Sequence, residues 1–466
     1  MSLTTEELVI QLNNYLSKEQ ISANDTVLEQ HSKDESYHKP KSPKVVVYPY
    51  TTEDVSNIMT FANNNAVKVV PFGLGTSLEG HIIPYEQQLT IDFSLMNKVL
   101  DISVEDFLVT VQPGVTRTVL NKALKKHGLF FPVDPGADAT LGGMVATNAS
   151  GTTSVKYGVM RDQVRDLEVV LADGRVIHTG NRAAKSSSGY HLNGLFTGSE
   201  GTLGAFTELT LKVHGIPEHI VAGRAIFPTI KNAIEAVVSI LQAGIPIARV
   251  ELIDEASIQQ INSHSKQDFP IKPTLFLEFH GNEAGLQSDI DFMKLIVEDH
   301  QCEGIEFEKE NKKRNVLWEA RHNLAYAYTH GYPGKDMMVT DVVVPISKLT
   351  EAVLFARTEL DKTLIPGGIL GHVGDGNFHV LLMIDSNNPD QVKAAHTYNE
   401  KLVMHAINNG GTCTGEHGVG IGKQKYQRIE HGEAYDVMLA IKQVLDPKNI
   451  LNADKKITSK ESEHNL

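Results

Sequence analysis

Cysteine is almost missing from this chain: there are two, Cys302 and Cys413. That excludes a disulfide framework and any CxxC redox or zinc motif, and it points to a reducing, intracellular setting. Positive charge is also short, with 43 Lys and Arg against 57 Asp and Glu and a net charge of -14. Nucleic acid is therefore disfavoured as a partner, because phosphate backbones need a basic face, although a local pocket for a small anion is not. No apolar run approaches the ~18 residues a membrane helix needs, so any membrane contact would be peripheral. The opening MSLTTEELVIQLNNYL lacks the basic start and apolar run of a signal peptide and the arginines of a transit peptide. These absences set the expectation of a cytoplasmic protein, at most peripheral at the inner face of a membrane. What is present is ordinary globular composition, 41% hydrophobic and 21% charged over 466 residues, enough for two or three domains.

The first half reads as strands, helices and glycine-rich turns. Thr4–Leu16 has apolar residues at helical spacing behind an acidic first turn. Val45–Tyr48 is a short buried strand, Thr51 caps a helix, and Val67–Pro71 is a second strand, a β-α-β unit that implies parallel pairing. The second strand runs into PFGLGTSLEGH, Pro71–His81, a turn whose backbone N–H groups suit an anion. It is neither a Walker loop, lacking the closing Gly-Lys-Ser/Thr, nor a Rossmann fingerprint, lacking a GxGxxG that opens a helix. Two further stretches are glycine-rich, Asp134–Gly158 and Phe196–Val213. In the first, Thr140, Thr147, Asn148 and Ser150 are hydrogen-bond donors for a flat ligand. Between the two, a hairpin turns at Ala172-Asp173-Gly174. Three such loops, each beside a strand, point to a large nucleotide cofactor.

The second half carries the chemistry. GHVGDGNFH, Gly371–His379, sets His372 and His379 around a turn, and TGEHGVG, Thr414–Gly420, adds Glu416 and His417. Two imidazoles and a carboxylate suit zinc, manganese or iron(II) in a site with an open position. The spacing is not HExxH, so a thermolysin-like helix is excluded. His417 is the natural base, with a fourth-ligand role as the alternative. Cys413 is read as packing. A metal-dependent hydrolase would use the same ligands but would have no use for the glycine loops.

PFGLGTSLEG, TLGGMVATNASG, KYG and GSEGTLG together resemble the FAD-binding domain of the vanillyl-alcohol-oxidase (PCMH) type flavoproteins. HVGDGNFH and TGEHGVG resemble its D-2-hydroxyacid dehydrogenase branch, nearest to its cytochrome-linked D-lactate-oxidising members and to glycolate oxidase D subunits. The resemblance spans about residues 40–455. It implies an α+β fold: an FAD-binding domain over 40–217, a substrate or cap domain with a large antiparallel sheet and the metal site over 218–425, and a helical segment 426–456 returning to the FAD domain. Residues 1–39 would form an N-terminal helical extension and 457–466 a disordered tail. The resemblance assigns FAD contacts to Pro71, Gly73, Gly75, Thr76, Ser77, Pro135, Thr140, Gly142, Gly143, Thr147, Asn148, Ser150, Gly151, Tyr157, Gly158, Glu200, Gly201, Gly204 and Asn452. It implies non-covalent FAD, since no histidine clearly matches a covalent linkage position; His81 is the nearest to a glycine loop. It gives His372, His379 and Glu416 as ligands of a divalent metal, zinc or manganese, Arg321 as the substrate-carboxylate arginine, and Asn377 as a substrate contact or a turn residue.

The implied reaction is oxidation of a 2-hydroxy acid. The substrate would chelate the metal through its hydroxyl and one carboxylate oxygen, His417 would take the hydroxyl proton, and the C2 hydride would pass to flavin N5. The members acting on D-2-hydroxyglutarate place a lysine where this chain has Val339, and Ala325 offers no hydroxyl. Both differences favour a short substrate, D-lactate first and glycolate second. Electrons would leave to a cytochrome, a quinone, or an electron-transfer flavoprotein or partner subunit. A homodimer fits the same picture.

Overall fold

Thr4 sets the first helix, Thr5–Leu12: its hydroxyl accepts from the Glu7 amide, and the Glu7 carboxylate accepts from the Thr4 amide at 2.7 Å. The computed structural model describes residues 3–84 and 89–458. The chain divides into two units, one of 1–150, 159–216 and 416–466, the other of 151–158 and 217–415.

In the first unit, Leu8, Leu12 and Leu16 join the same core as Val45, Ile58, Val69 and Ile91. The expected N-terminal extension is thus part of this unit, because its apolar stripe has a sheet to cover. That sheet runs Ile21–Ser22, Val45–Val47, Leu89–Asp92, Val69–Phe72. The two strands of the β-α-β unit are parallel, as expected, but they are not neighbours: Leu89–Asp92 lies between them and pairs with both. The connecting helix, Thr52–Asn65, has a capping box from Thr51 and Asp54 and ends at left-handed Ala66. A second, antiparallel sheet runs Val99–Ser103, Leu108–Val111, Ala205–Lys212, Val164–Val170, Val176–His178. Its last two strands are the expected hairpin, turning at Gly174.

Helices Gln424–His431 and Ala434–Leu445 precede Ile450 and Leu451, which enter the first core. The Val69 amide donates to Ile450 O at 2.7 Å, and the Asn452 amide to Val69 O at 2.8 Å. Ile457 is buried and Tyr435 donates its hydroxyl to Thr458 O, so packing runs two residues into the expected free tail. Residues 459–466 lie outside the described residues.

The second unit is built on an antiparallel sheet in the order Gly304–Glu308, His219–Ile226, Thr274–Gly281, Ile247–Ile253, Gly367–Gly371, Asn377–Ile384, Asp336–Val339, with Val342–Val343 also paired to Asn377–Ile384. Helices Glu255–Ser265, Asn311–His322 and Leu324–Gly331 enclose a core of Ile258, Phe276, Trp318, Leu324, Tyr328, Leu370 and Met383. Two boundaries differ from the expected ones. Residues 151–158 go with this unit, where Lys156 donates to His280 O at 2.7 Å, and 416–425 go with the first. The second unit resumes at Pro217.

Candidate active site

Three central strands of the second unit carry the catalytic-looking residues. Gly367–Gly371 ends at His372, a turn closes with the Asp375 amide donating to His372 O at 3.2 Å, and Asn377–Ile384 returns with His379. Gly376 has φ 83°, which turns the chain where a side chain would be strained. The two imidazoles meet edge to face, centroids 5.6 Å apart.

Each ring is locked through Nδ1. His379 Nδ1 lies 3.0 Å from Thr340 O, a group that can only accept, so Nδ1 carries the proton. His372 Nδ1 lies 2.6 Å from Glu251 Oε1. In the neutral rings this makes Nε2 the nitrogen that would ligate a metal.

Glu251 is fully buried. Its other oxygen, Oε2, accepts from Arg321 Nε at 3.0 Å and Nη2 at 2.8 Å. Burial pushes the Glu251 pKa up, but His372 and Arg321 outweigh it and hold the group below its ordinary range. Arg321 thus has one edge on Glu251, with further N–H donors left for a ligand carboxylate.

Asn377 serves the framework. It is buried, and its Nδ2 donates to Asp341 Oδ1 at 2.8 Å and to Val342 O at 2.9 Å. Only its Oδ1 lacks a partner among the described residues. Asp341 Oδ2 also accepts from Thr414 Oγ1 at 2.8 Å and from the Gly415 amide at 2.7 Å. The segment leading into Glu416 is therefore tied to the same carboxylate as Asn377. Val339 and Met337 pack against the apolar cluster of Trp318, Leu324, Tyr328 and Leu370.

A second buried chain runs behind Trp318, whose Nε1 donates to Glu278 Oε2 at 2.6 Å. Glu278 Oε1 meets His280 Nε2 at 2.7 Å, and His280 Nδ1 meets the Tyr157 hydroxyl at 2.8 Å. Tyr157, expected on a cofactor, has its hydroxyl engaged here; Gly151 and Gly158 belong to the same short segment.

The first unit brings the glycine loops together. A Cβ on Gly73 would meet Thr140 Oγ1 at 2.5 Å, one on Gly142 would meet Pro113 at 2.6 Å, and one on Gly201 would meet Pro71 at 2.9 Å. The Gly198 amide donates to Val145 O and the Glu200 amide to Ala146 O, each at 2.8 Å. Asn452 Nδ2 bridges His81 O and Glu200 O. Around this crossing Thr197 Oγ1, Ser199 Oγ and Asn452 Oδ1 are buried without a partner among the described residues. Buried polar atoms rarely stay unpaired, so a polar, flat group fits here.

Several expected ligand donors have side-chain partners within the protein. Thr140 caps the helix Leu141–Thr147 through the Gly143 amide, and Thr147 donates to Gly143 O at 3.2 Å. Asn148 Oδ1 accepts from the Arg161 amide, Ser77 donates to Asp34, and Ser150 donates to Glu416 Oε2 at 2.9 Å. Glu200 is engaged through its side chain within the first unit. Its fully buried carboxylate accepts from the amides of Val419 and Gly420, both at 2.8 Å, and from Lys456 at 2.9 Å. Burial raises its pKa, yet Lys456 and His81 outweigh that and hold it ionised.

Those bonds pin the turn that begins at half-buried His417. Gly418 has φ 83°, and a Cβ there would meet His81 Nε2 at 2.5 Å. Cys413 is buried, in keeping with packing. His81 is buried too, with Nε2 3.2 Å from Glu200.

Nothing in the sequence motifs assigns a role to Glu251, Asp341, Glu278 or His280. Their only signal is a charged or polar residue inside an apolar run, as in IARVELI and TDVVVP.

Comparison with known proteins gives a consistent result. A model of FAD linked oxidases, C-terminal domain, matches residues 216–456, and a model of the FAD binding domain matches 43–180. The chain is 43% identical to the probable mitochondrial D-lactate dehydrogenase of Danio rerio, over 97% of this chain and 91% of that one. It is 41% identical to the mitochondrial D-lactate dehydrogenase [cytochrome] of Arabidopsis thaliana, over 97% and 82%. It is 35% identical to glycolate oxidase subunit GlcD of Bacillus subtilis, over 89% and 88%. Among solved structures, p-cresol methylhydroxylase superposes with a TM-score of 0.79 at 18% identity, covering 96% of this chain and 95% of that one. An alkyldihydroxyacetonephosphate synthase gives 0.76 at 20%, covering 97% and 85%. These two share the fold.

Proposed function

The chain belongs to the FAD-linked oxidase family, and from that premise we propose that it dehydrogenates a small D-2-hydroxy acid, D-lactate to pyruvate, with glycolate to glyoxylate as the second reading. The observation that carries this reading is the arrangement on Glu251: an Nε2-presenting histidine and an arginine held by one carboxylate, beside an apolar cluster. His372, His379 and Glu416 would hold a divalent metal, zinc or manganese; the locked Nδ1 atoms support this, as does the tie of Gly415 to Asp341 one residue before Glu416. The crossing of Gly73, Gly201, Thr197, Ser199 and Asn452 would hold FAD, without a covalent link.

When bound, FAD supplies the hydride acceptor and the metal a Lewis acid. The protein's own groups do the rest. Arg321 grips the substrate carboxylate with the donors Glu251 leaves, a planar match that lysine cannot imitate. His417 takes the hydroxyl proton, its turn held by the Glu200 bonds to Val419 and Gly420. Val339, Trp318 and Leu324 offer no partner to a second carboxylate, which selects a short substrate. The electron acceptor is taken to be a cytochrome, as the name of the Arabidopsis thaliana relative suggests, ahead of a quinone or an electron-transfer flavoprotein.

Anaerobic reduction of the flavin by D-lactate, L-lactate, glycolate and D-2-hydroxyglutarate tests the substrate assignment. D-lactate should reduce fastest. Faster reduction by D-2-hydroxyglutarate would overturn the role given to Val339.

A further inference from the structure

We infer that Glu251 is a positioning residue that couples metal binding to substrate binding. The inference rests on the reading above, in which His372 ligates a metal and Arg321 the substrate carboxylate. Glu251 sits in the strand Ile247–Ile253, paired on one side with Thr274–Gly281 through Phe276. The following residues, Leu252 and Ile253, pair with Gly371 and Leu370 on the other. Its backbone cannot drift far. Its two oxygens are divided, Oε1 to His372 and Oε2 to Arg321.

That division has two consequences. His372 is held through Nδ1, so in the neutral ring Nε2 is the nitrogen that would ligate a metal, with the ring orientation set by Glu251. Arg321 is held at the angle that Oε2 dictates, so its remaining donors face one direction. Any shift of His372 toward a metal would pass through the carboxylate that Arg321 rests on, and the reverse would hold by linkage. Glutamine cannot replace this, because it offers one acceptor and one donor where two acceptors are used. Aspartate keeps the charge but is a methylene too short to hold both partners.

The test measures Mn(II) affinity by electron paramagnetic resonance, without substrate, alongside steady-state kinetics with D-lactate. The wild-type protein should bind Mn(II). Glu251→Gln should weaken that binding about 10–100-fold and raise KM for D-lactate more than it lowers kcat. Arg321→Lys, which removes no metal ligand and keeps the charge, should weaken Mn(II) several-fold through Glu251. Should Glu251→Gln fail to fold, Glu251→Asp and Arg321→Lys carry the same test. Wild-type affinity in Glu251→Gln, or unchanged affinity in Arg321→Lys, would overturn the coupling and leave the metal reading standing. A wild-type protein that binds no Mn(II) or Zn(II) would sink the metal reading itself.

Discussion

His417 and Gly418 show how much one residue's neighbours decide. His417→Ala removes the proposed base and none of the residues assigned to the glycine crossing. Its flavin should remain bound and visible, with reduction by D-lactate slowed at least ~100-fold in stopped-flow; normal reduction would disprove the assignment. Gly418→Ala places a methyl against His81 at a left-handed φ, and about 1–3 kcal/mol of stability should be lost. Gly215→Ala, which meets open space, should stay within about 0.5 kcal/mol, and thermal melts of the pair separate the two cases. The histidine pair and the Glu416–His417 pair stand out in the sequence because glycines crowd around them. Glu251 does not, because its partner His372 is 121 positions away and a lone glutamate in a strand announces nothing.

Elements are legible in the sequence where local chemistry fixes them and less so where tertiary contacts choose. The Thr51 cap and the Gly174 hairpin follow from their own residues. The insertion of Leu89–Asp92 between two parallel strands does not, since nothing in the β-α-β segment records a third strand. The N-terminal helix makes the point energetically. Leu12 is fully buried, so Leu12→Ala should cost about 2–4 kcal/mol in chemical denaturation. A cost near zero would return this helix to the status of a loose extension. Likewise Thr140, Thr147 and Ser150 of Asp134–Gly158 suit ligand donors by composition, but the hydroxyls of Thr140 and Thr147 satisfy the local helix and that of Ser150 donates to Glu416, 266 positions away.

For the molecule as a whole, acid sensitivity has an identifiable contributor in the first unit. Burial, then Lys212 and Arg165, push the His214 pKa down to about 4 from 6.5. The folded-state value lies below the unfolded one, so its contribution is complete above about pH 6.5 and is lost as pH falls to about 4. About 1–3 kcal/mol of stability should go over that window. His214→Gln should flatten the fall in Tm between pH 7 and pH 5, by that reasoning, and an unchanged slope would contradict it. Among the described residues no helix is long and apolar enough to cross a membrane.

The central claim is that one chain holds a flavin and a metal-assisted site for a short hydroxy acid. Its most direct test is an anaerobic titration of the purified protein with D-lactate, following the visible flavin absorbance before and after treatment with a chelator. D-lactate should bleach the band, and the chelator should suppress the bleaching. A colourless protein, or a flavin band that D-lactate leaves intact, would contradict the claim.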